Sequence, residues 1–231
     1  MIGGASSGGT FSPATALSEV WACDETDRWT PLAPFPAKVI GAQLASDGTR
    51  LVVVGGQDGD NAQFGNQSQS ISDDGGATWS PLAMTALGAA GGYATAIAYD
   101  AAGSRLVAIP GSTPKPGGFI DRPDGLWQLP NGSTEWTSVC ALCDQPRAAP
   151  ALAANASGEV FLMNGYELNG DIAGAWVLDN GAWVQFASDP PNRNQSGAAY
   201  DAERGVIVVY GGNGASCDGD CDDTWEMTAR P

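Results

Sequence analysis

The side chains able to do chemistry in this chain are acids, amides, arginines and five cysteines, because it contains no histidine. Imidazole acid–base catalysis, Ser-His-Asp hydrolysis and a histidine-ligated copper site are thereby excluded. What remains is carboxylate chemistry of the kind used on glycosidic bonds. There one acid protonates the leaving oxygen, and a second carboxylate attacks or activates water. Glu167, paired with Asp58 or Asp121, is the candidate. The acids fall in long loops spanning residues 57–69, 112–125, 166–174 and 213–223, with a further loop at 5–18. From these loops and their flanks, Asp58, Asp60, Asn61, Arg122, Arg147, Tyr166, Glu167 and Arg193 make up the expected ligand-binding set. The arginines suit a carboxylate or sugar acid, and Tyr166 suits a sugar face. Asp218, Asp220 and Asp222 alternate along "CDGDCDD" as calcium ligands do, without completing an EF-hand loop. The bland counterparts are solvated loop acids and rim salt bridges.

The cysteines form two close pairs, Cys140/Cys143 and Cys217/Cys221, with Cys23 left over. Such spacing reads as local disulfides of an exported protein. A four-thiolate zinc site is the alternative use. The chain carries 26 acids against 10 bases, a formal charge of −16. That balance argues against nucleic acid and anionic lipid, and favours protein, glycan or calcium as partners. No apolar run reaches the length of a membrane span. "MIGGASSGG" lacks the basic start and apolar stretch of a signal peptide. The expected location is extracellular, periplasmic or cell-surface.

The elements that must position these residues recur along the chain. Short β-branched runs end in a glycine-containing pair at Gly4, Gly56, Gly111, Gly165 and Gly212, at intervals of 52, 55, 54 and 47 residues. A second short strand precedes four of these runs, as in "ATAIAYD". Tryptophans mark two further strands per unit: Trp21 and Trp29, Trp127 and Trp136, Trp176 and Trp183. Ile71 stands where a tryptophan is expected before Trp79, and Trp225 opens the last such strand. Asn131-Gly132 and Asn180-Gly181 are hairpin turns requiring positive φ. Four antiparallel strands per unit of about fifty residues predict an all-β propeller. The expectation is a single domain over 1–231, with about five blade units at 1–34, 35–84, 85–142, 143–188 and 189–231. The first and last units are incomplete, which suggests a piece of a larger propeller, with further blades of the same polypeptide as a partner.

"SGAAYDAERGVIVVYGGNG…DDTWEM" resembles a kelch repeat, and "TRLVVVGG" and "SEVWACDETDRWTPLAPFP" follow the same pattern. The resemblance implies a β-propeller and no single activity. "SDDGGATW" fits S-x-D-x-G-x-T-W, with Ser72, Asp74, Gly76, Thr78 and Trp79, and resembles the Asp-box of sialidases and other glycan-acting propellers. In such proteins this hairpin lies away from the catalytic face, so it is expected to staple the fold. Arg50, Arg105 and Arg204 recur at one repeat position near Asp47, Asp100 and Asp201, which assigns them to the blade rather than to a unique site.

Alternate loops of a propeller lie on opposite faces, and the long loops share one. That face is the candidate for recognition. The reading leans against an enzyme and towards a binding or interaction propeller that recognises a protein or glycan. The alternatives are a glycan-active hydrolase or lyase of the Asp-box kind, and a structural module of a larger surface protein. No cofactor is required on this reading; calcium is the more plausible metal and zinc the less.

Overall fold

A computed structural model describes residues 1–4, 16–58, 69–82, 95–111, 113–114, 120–121, 125–140, 147–167, 170–171, 174–185, 192–214, 217 and 219–228. The second strand of each complete unit is a largely apolar run, and both of its faces are buried. Leu51–Val54, Arg105–Ile109 and Val160–Met163 show this pattern. Such runs form central strands, since apolar side chains on both faces need a neighbour on each side.

Each central strand pairs with its predecessor across a tight hairpin and with a third strand that returns from the long loop. Unit two is Gln43–Ser46, Leu51–Val54, Ser70–Ser72 and Ser80–Pro81, hydrogen-bonded in that order. Unit three is Ala96–Asp100, Arg105–Ile109, Leu126–Pro130 and Thr137–Cys140; unit four is Ala151–Ala154, Val160–Met163, Ala175–Asp179 and Ala182–Gln185. Unit five has three strands, Gly197–Asp201, Val206–Tyr210 and Thr224–Thr228. In unit one, Trp21–Cys23 pairs with Trp29–Pro31, and Ile2 bridges Val20. The fold is therefore an all-β propeller of four-stranded antiparallel blades with partial blades at its edges.

The core is divided among four seams between consecutive units. Strand alternation decides which side chain serves which seam. Val53 packs with Val20, Phe35 and Val39 towards unit one, while Val52 and Val54 pack with Leu106, Ala108 and Leu129 of unit three. Val107 and Ile109 turn the other way, onto Leu152, Leu162 and Trp176. Ile71 lies in the seam between units two and three, but it does not stand at the tryptophan position: Trp127, Trp176 and Trp225 pair with Ala108, Leu162 and Val209, whereas the equivalent Val53 pairs with Ser70. The first strands of units two to five follow one another around the axis. No helix among the described residues is long and apolar enough to cross a membrane.

The first hairpin of each unit is held by one recurring device. Asp47, Asp100 and Asp201 each accept hydrogen bonds from turn amides and bind the guanidinium of Arg50, Arg105 and Arg204. Unit four replaces the ion pair with an amide–carboxylate hydrogen bond. Asn155 accepts from the amides of Ser157 and Glu159 and donates its own amide to the Glu159 carboxylate at 2.7 Å. Arg50 also reaches the next blade, donating to the carbonyl of Ser133 at 2.8 Å.

Candidate functional site

The long loops emerge where the second strand ends and the third begins, and each described one opens with a small hairpin or ladder. Val39–Ile40 pairs with Gln57–Asp58, Thr113–Pro114 with Ile120–Asp121, Tyr166–Glu167 with Gly170–Asp171, and Asn213–Gly214 with Gly219–Asp220. The register repeats: Gln57 pairs with Ile40, Tyr166 bridges Ala148 and Asn213 bridges Asn194. Asp58 and Glu167 thus occupy the same repeat position, each the fourth residue beyond a central strand, in Val54 and Met163 respectively. Asp121 sits on the corresponding hairpin of the unit between them. The three candidate acids share one face of the propeller.

Around Glu167 the backbone is tightly specified. The Gly165 amide donates to the Arg193 carbonyl of the next unit at 2.9 Å. At φ +107°, a Cβ on Gly165 would stand 2.9 Å from the Ala148 carbonyl oxygen and 3.1 Å from Arg147 Cδ. Only glycine lets these three segments approach so closely. Arg147 is 2% exposed; it donates to the Asn164 carbonyl at 2.9 Å and stacks over Trp176, 4.0 Å from the ring centroid. Arg193 is 1% exposed, donates to the Gly211 carbonyl and forms a two-point pair with Asp223. Those bonds, with one from the Trp225 indole, hold the Asp223 carboxyl well below the usual carboxylate range.

The structure therefore gathers Arg147, Tyr166, Glu167 and Arg193 in one sector, between units four and five. Both guanidiniums are sunk beneath the face and tie its floor. Asp58 and Asp121 lie on neighbouring sectors of the same face. Asp60, Asn61, Arg122 and Asp218 lie outside the described residues, while Asp220 and Asp222 are exposed. No group of three or more acids or thiols among the described residues could hold a metal ion. Cys217 and Cys221 are bonded to each other, and Cys140 is disulfide-bonded, so their thiolates are not open to zinc. Cys143 lies outside the described residues; Cys23 is a free, exposed thiol.

One polar group was missed by the reading of the sequence. Asn164 is wholly buried, and among the described residues neither its amide nitrogen nor its amide oxygen has a partner. It stands at φ +56°, where other units have glycine, as at Gly55 and Gly211. Asparagine is among the few residues with a side chain that tolerate this conformation. The signal was present in the departure "NG" for "GG": a unit that gives up the easier residue there gains an amide directly before Gly165 and Tyr166.

The Asp-box hairpin is formed in full. The Ser72 hydroxyl donates to Asp74 and accepts from the Gly76 amide, both at 2.8 Å. The Thr78 hydroxyl and amide donate to Asp74 at 2.6 and 2.8 Å. These bonds, the Thr78 hydroxyl foremost, bring the Asp74 carboxyl down to about 2. Gly76 sits at φ +95°, and Trp79 meets Phe35 edge to face at 5.2 Å. The turn lies at the far end of its strands from the long loops. A separate cavity of about 420 Å³ lies on the axis near the short turns, walled mainly by alanines with Tyr99, Asn155 and Tyr200. It presents no charged side chain.

No family model matches the chain, and no curated protein matches it. Its fold is similar to the solved structure of YjhT, with a TM-score of 0.71 and 12% identity over 93% of this chain and 74% of that one. These findings correct three expectations. The kelch assignment is withdrawn, because the relation found is to the YjhT propeller and no kelch model matches. The features that suggested kelch are blade mechanics. Gly56, Gly165 and Gly212 make room for the segment leading into their own unit's first strand, at Ala42, Ala148 and Asn194, and the Asp–Arg pairs cap hairpins. The lean against an enzyme is also withdrawn, since the fold similarity to YjhT gives it no support. The missing histidine removes one kind of proton transfer and leaves carboxylate chemistry intact. Secretion, expected from the cysteine pairs, is not supported by these findings and is dropped.

Proposed function

We propose that this propeller is a glycan-active hydrolase or lyase that works with carboxylates on its long-loop face. The observation that supports this most is the placement of Asp58, Asp121 and Glu167 on one face, Asp121 and Glu167 on loop hairpins and Asp58 on a ladder with Val39–Ile40. Glu167 lies on the same short strand as Tyr166, three residues beyond the buried Asn164, and is assigned as the acid that protonates the leaving oxygen. Asp121, one unit away, or Asp58, two units away, supplies the second carboxylate. Arg147 and Arg193 hold the floor of the sector and keep the Tyr166–Glu167 hairpin in place. Tyr166 stacks on a sugar ring, and Asn164 reads a hydroxyl or N-acetyl group through its amide.

The experiment is turnover of a broad glycan panel, with and without calcium, followed by product release. Glu167→Gln should lower the rate by a factor of about 10² to 10⁴, the usual contribution of a positioned general acid, while leaving the fold intact. Binding across the panel without product, or turnover unchanged in a folded Glu167→Gln protein, would overturn the proposal.

A further inference from the structure

A second site lies in the seam between units one and two. A cavity of about 410 Å³ is lined there by residues that include Phe35, Pro36, Gln69, Trp79, Pro81 and Leu82, none of its lining side chains being charged. Phe35 and Trp79 form an aromatic wall, edge to face at an interplanar angle of 79°. Both Gln69 and Trp79 carry a buried N–H with no partner among the described residues, at Nε2 and Nε1 respectively. Gln69 is 2% exposed, and its orientation is fixed from behind: its Oε1 accepts from the Trp136 indole of unit three at 2.7 Å. An indole nitrogen only donates, so the Gln69 amide must leave its NH₂ end for another acceptor. Buried donors are almost always satisfied, and two unsatisfied ones bordering a single apolar cavity point to a ligand that brings acceptors.

The chemistry of the lining selects that ligand. A sugar brings a donor with every hydroxyl, and most of those protons would face the apolar walls. A prolyl residue has a carbonyl and no N–H, so a proline-rich segment presents acceptors alone beside apolar rings. Aromatic grooves bind such segments because the extended helix is already ordered before binding. The chain's formal charge of −16 favours basic residues on either side of the prolines. We infer that this seam binds a proline-rich peptide with basic flanks. Its rings lie against Phe35, Pro36 and Trp79, and its carbonyls accept from Trp79 Nε1 and Gln69 Nε2.

The test is a titration of the full chain with an octaproline peptide bearing a lysine at each end, and separately with a neutral cellulose oligosaccharide. The indole N–H cross-peaks are followed by proton–nitrogen NMR. Trp79→Phe keeps a ring, removes the N–H and assigns the cross-peak. The peptide should move the Trp79 signal progressively, and Gln69→Leu should weaken binding about tenfold through loss of one hydrogen bond. Movement with the oligosaccharide and not the peptide would give the site to glycan and overturn the inference. An unmoved Trp79 signal in the folded wild-type chain would overturn it as well, without reference to any variant.

Discussion

Asp47→Asn changes one charge at the buried end of a recurring device. The Asp47 carboxylate is wholly shielded, and Arg50 beside it keeps 9% side-chain exposure, with Nε to Oδ2 at 2.7 Å. Asparagine keeps the turn, since Asn155 accepts the same amide bonds in unit four. What is lost is the anion facing Arg50. Burial alone would raise the Asp47 carboxyl, but the hydrogen bonds from Thr49 and Arg50 outweigh it and bring it from 3.8 down to about 2. That displacement corresponds to roughly 2 kcal/mol of folding free energy. Breaking a buried pair costs about 3 to 5 kcal/mol when the remaining charge is stranded. Arg50 retains the Ser133 and Pro130 carbonyls as acceptors, which puts the variant near the lower bound. The expected loss is therefore about 2 to 3 kcal/mol at neutral pH, read from urea unfolding by tryptophan fluorescence. Asp201→Asn makes the same change where Arg204 and Asp201 keep 51% and 30% side-chain exposure, and should cost clearly less because solvent screens the pair. The pH dependence carries a sign. A depressed carboxyl contributes fully above its unfolded value, and the contribution fades as pH falls through its folded value. The gap between wild type and Asp47→Asn should thus close between pH 4 and about 2. Equal costs for the two variants, or a gap that persists at the acid end, would refute the argument from burial.

Asp74→Ala removes the acceptor that gathers Ser72 and Thr78, so it should lower the unfolding midpoint and leave glycan turnover unchanged. Lost turnover at unchanged stability would move the Asp-box from scaffold to site. Gly165→Ala forces a methyl against the Ala148 carbonyl and Arg147 at positive φ, and should destabilise the chain by more than about 1 kcal/mol. It should also impair turnover more than Gly181→Ala, whose added methyl meets open space, and parallel unfolding and rate measurements check both effects.

Much of the fold was legible because a propeller writes its geometry locally. "RLVVVGG" reads as a central strand because both faces of a blade must be apolar, and Val52 and Val53 do serve opposite seams. The Asp–Arg turns were assigned to the blade from recurrence, and their hydrogen bonds agree. The site was less legible. Arg147 and Arg193 look like ligand-binding arginines in loops, yet one stacks on Trp176 and the other pairs with Asp223 beneath the face. Nothing in a linear pattern says whether a loop arginine turns outward or inward. Asn164 escaped notice because an asparagine beside glycine also reads as an ordinary turn.

What the sequence by itself determined was the repeating unit: strand count, hairpin turns and the alternation that sends successive side chains to opposite seams. These follow from contacts between residues close along the chain and from backbone torsions special to glycine and asparagine. What only the tertiary structure decided was how distant units meet. It placed the backbones of Asp58, Asp121 and Glu167 on one face, sank two arginines under it, and brought Gln69 and Trp79 to one seam. Those outcomes depend on which groups from separate units compete for the same buried space and the same hydrogen-bond partners. That competition exists only once the blades have packed.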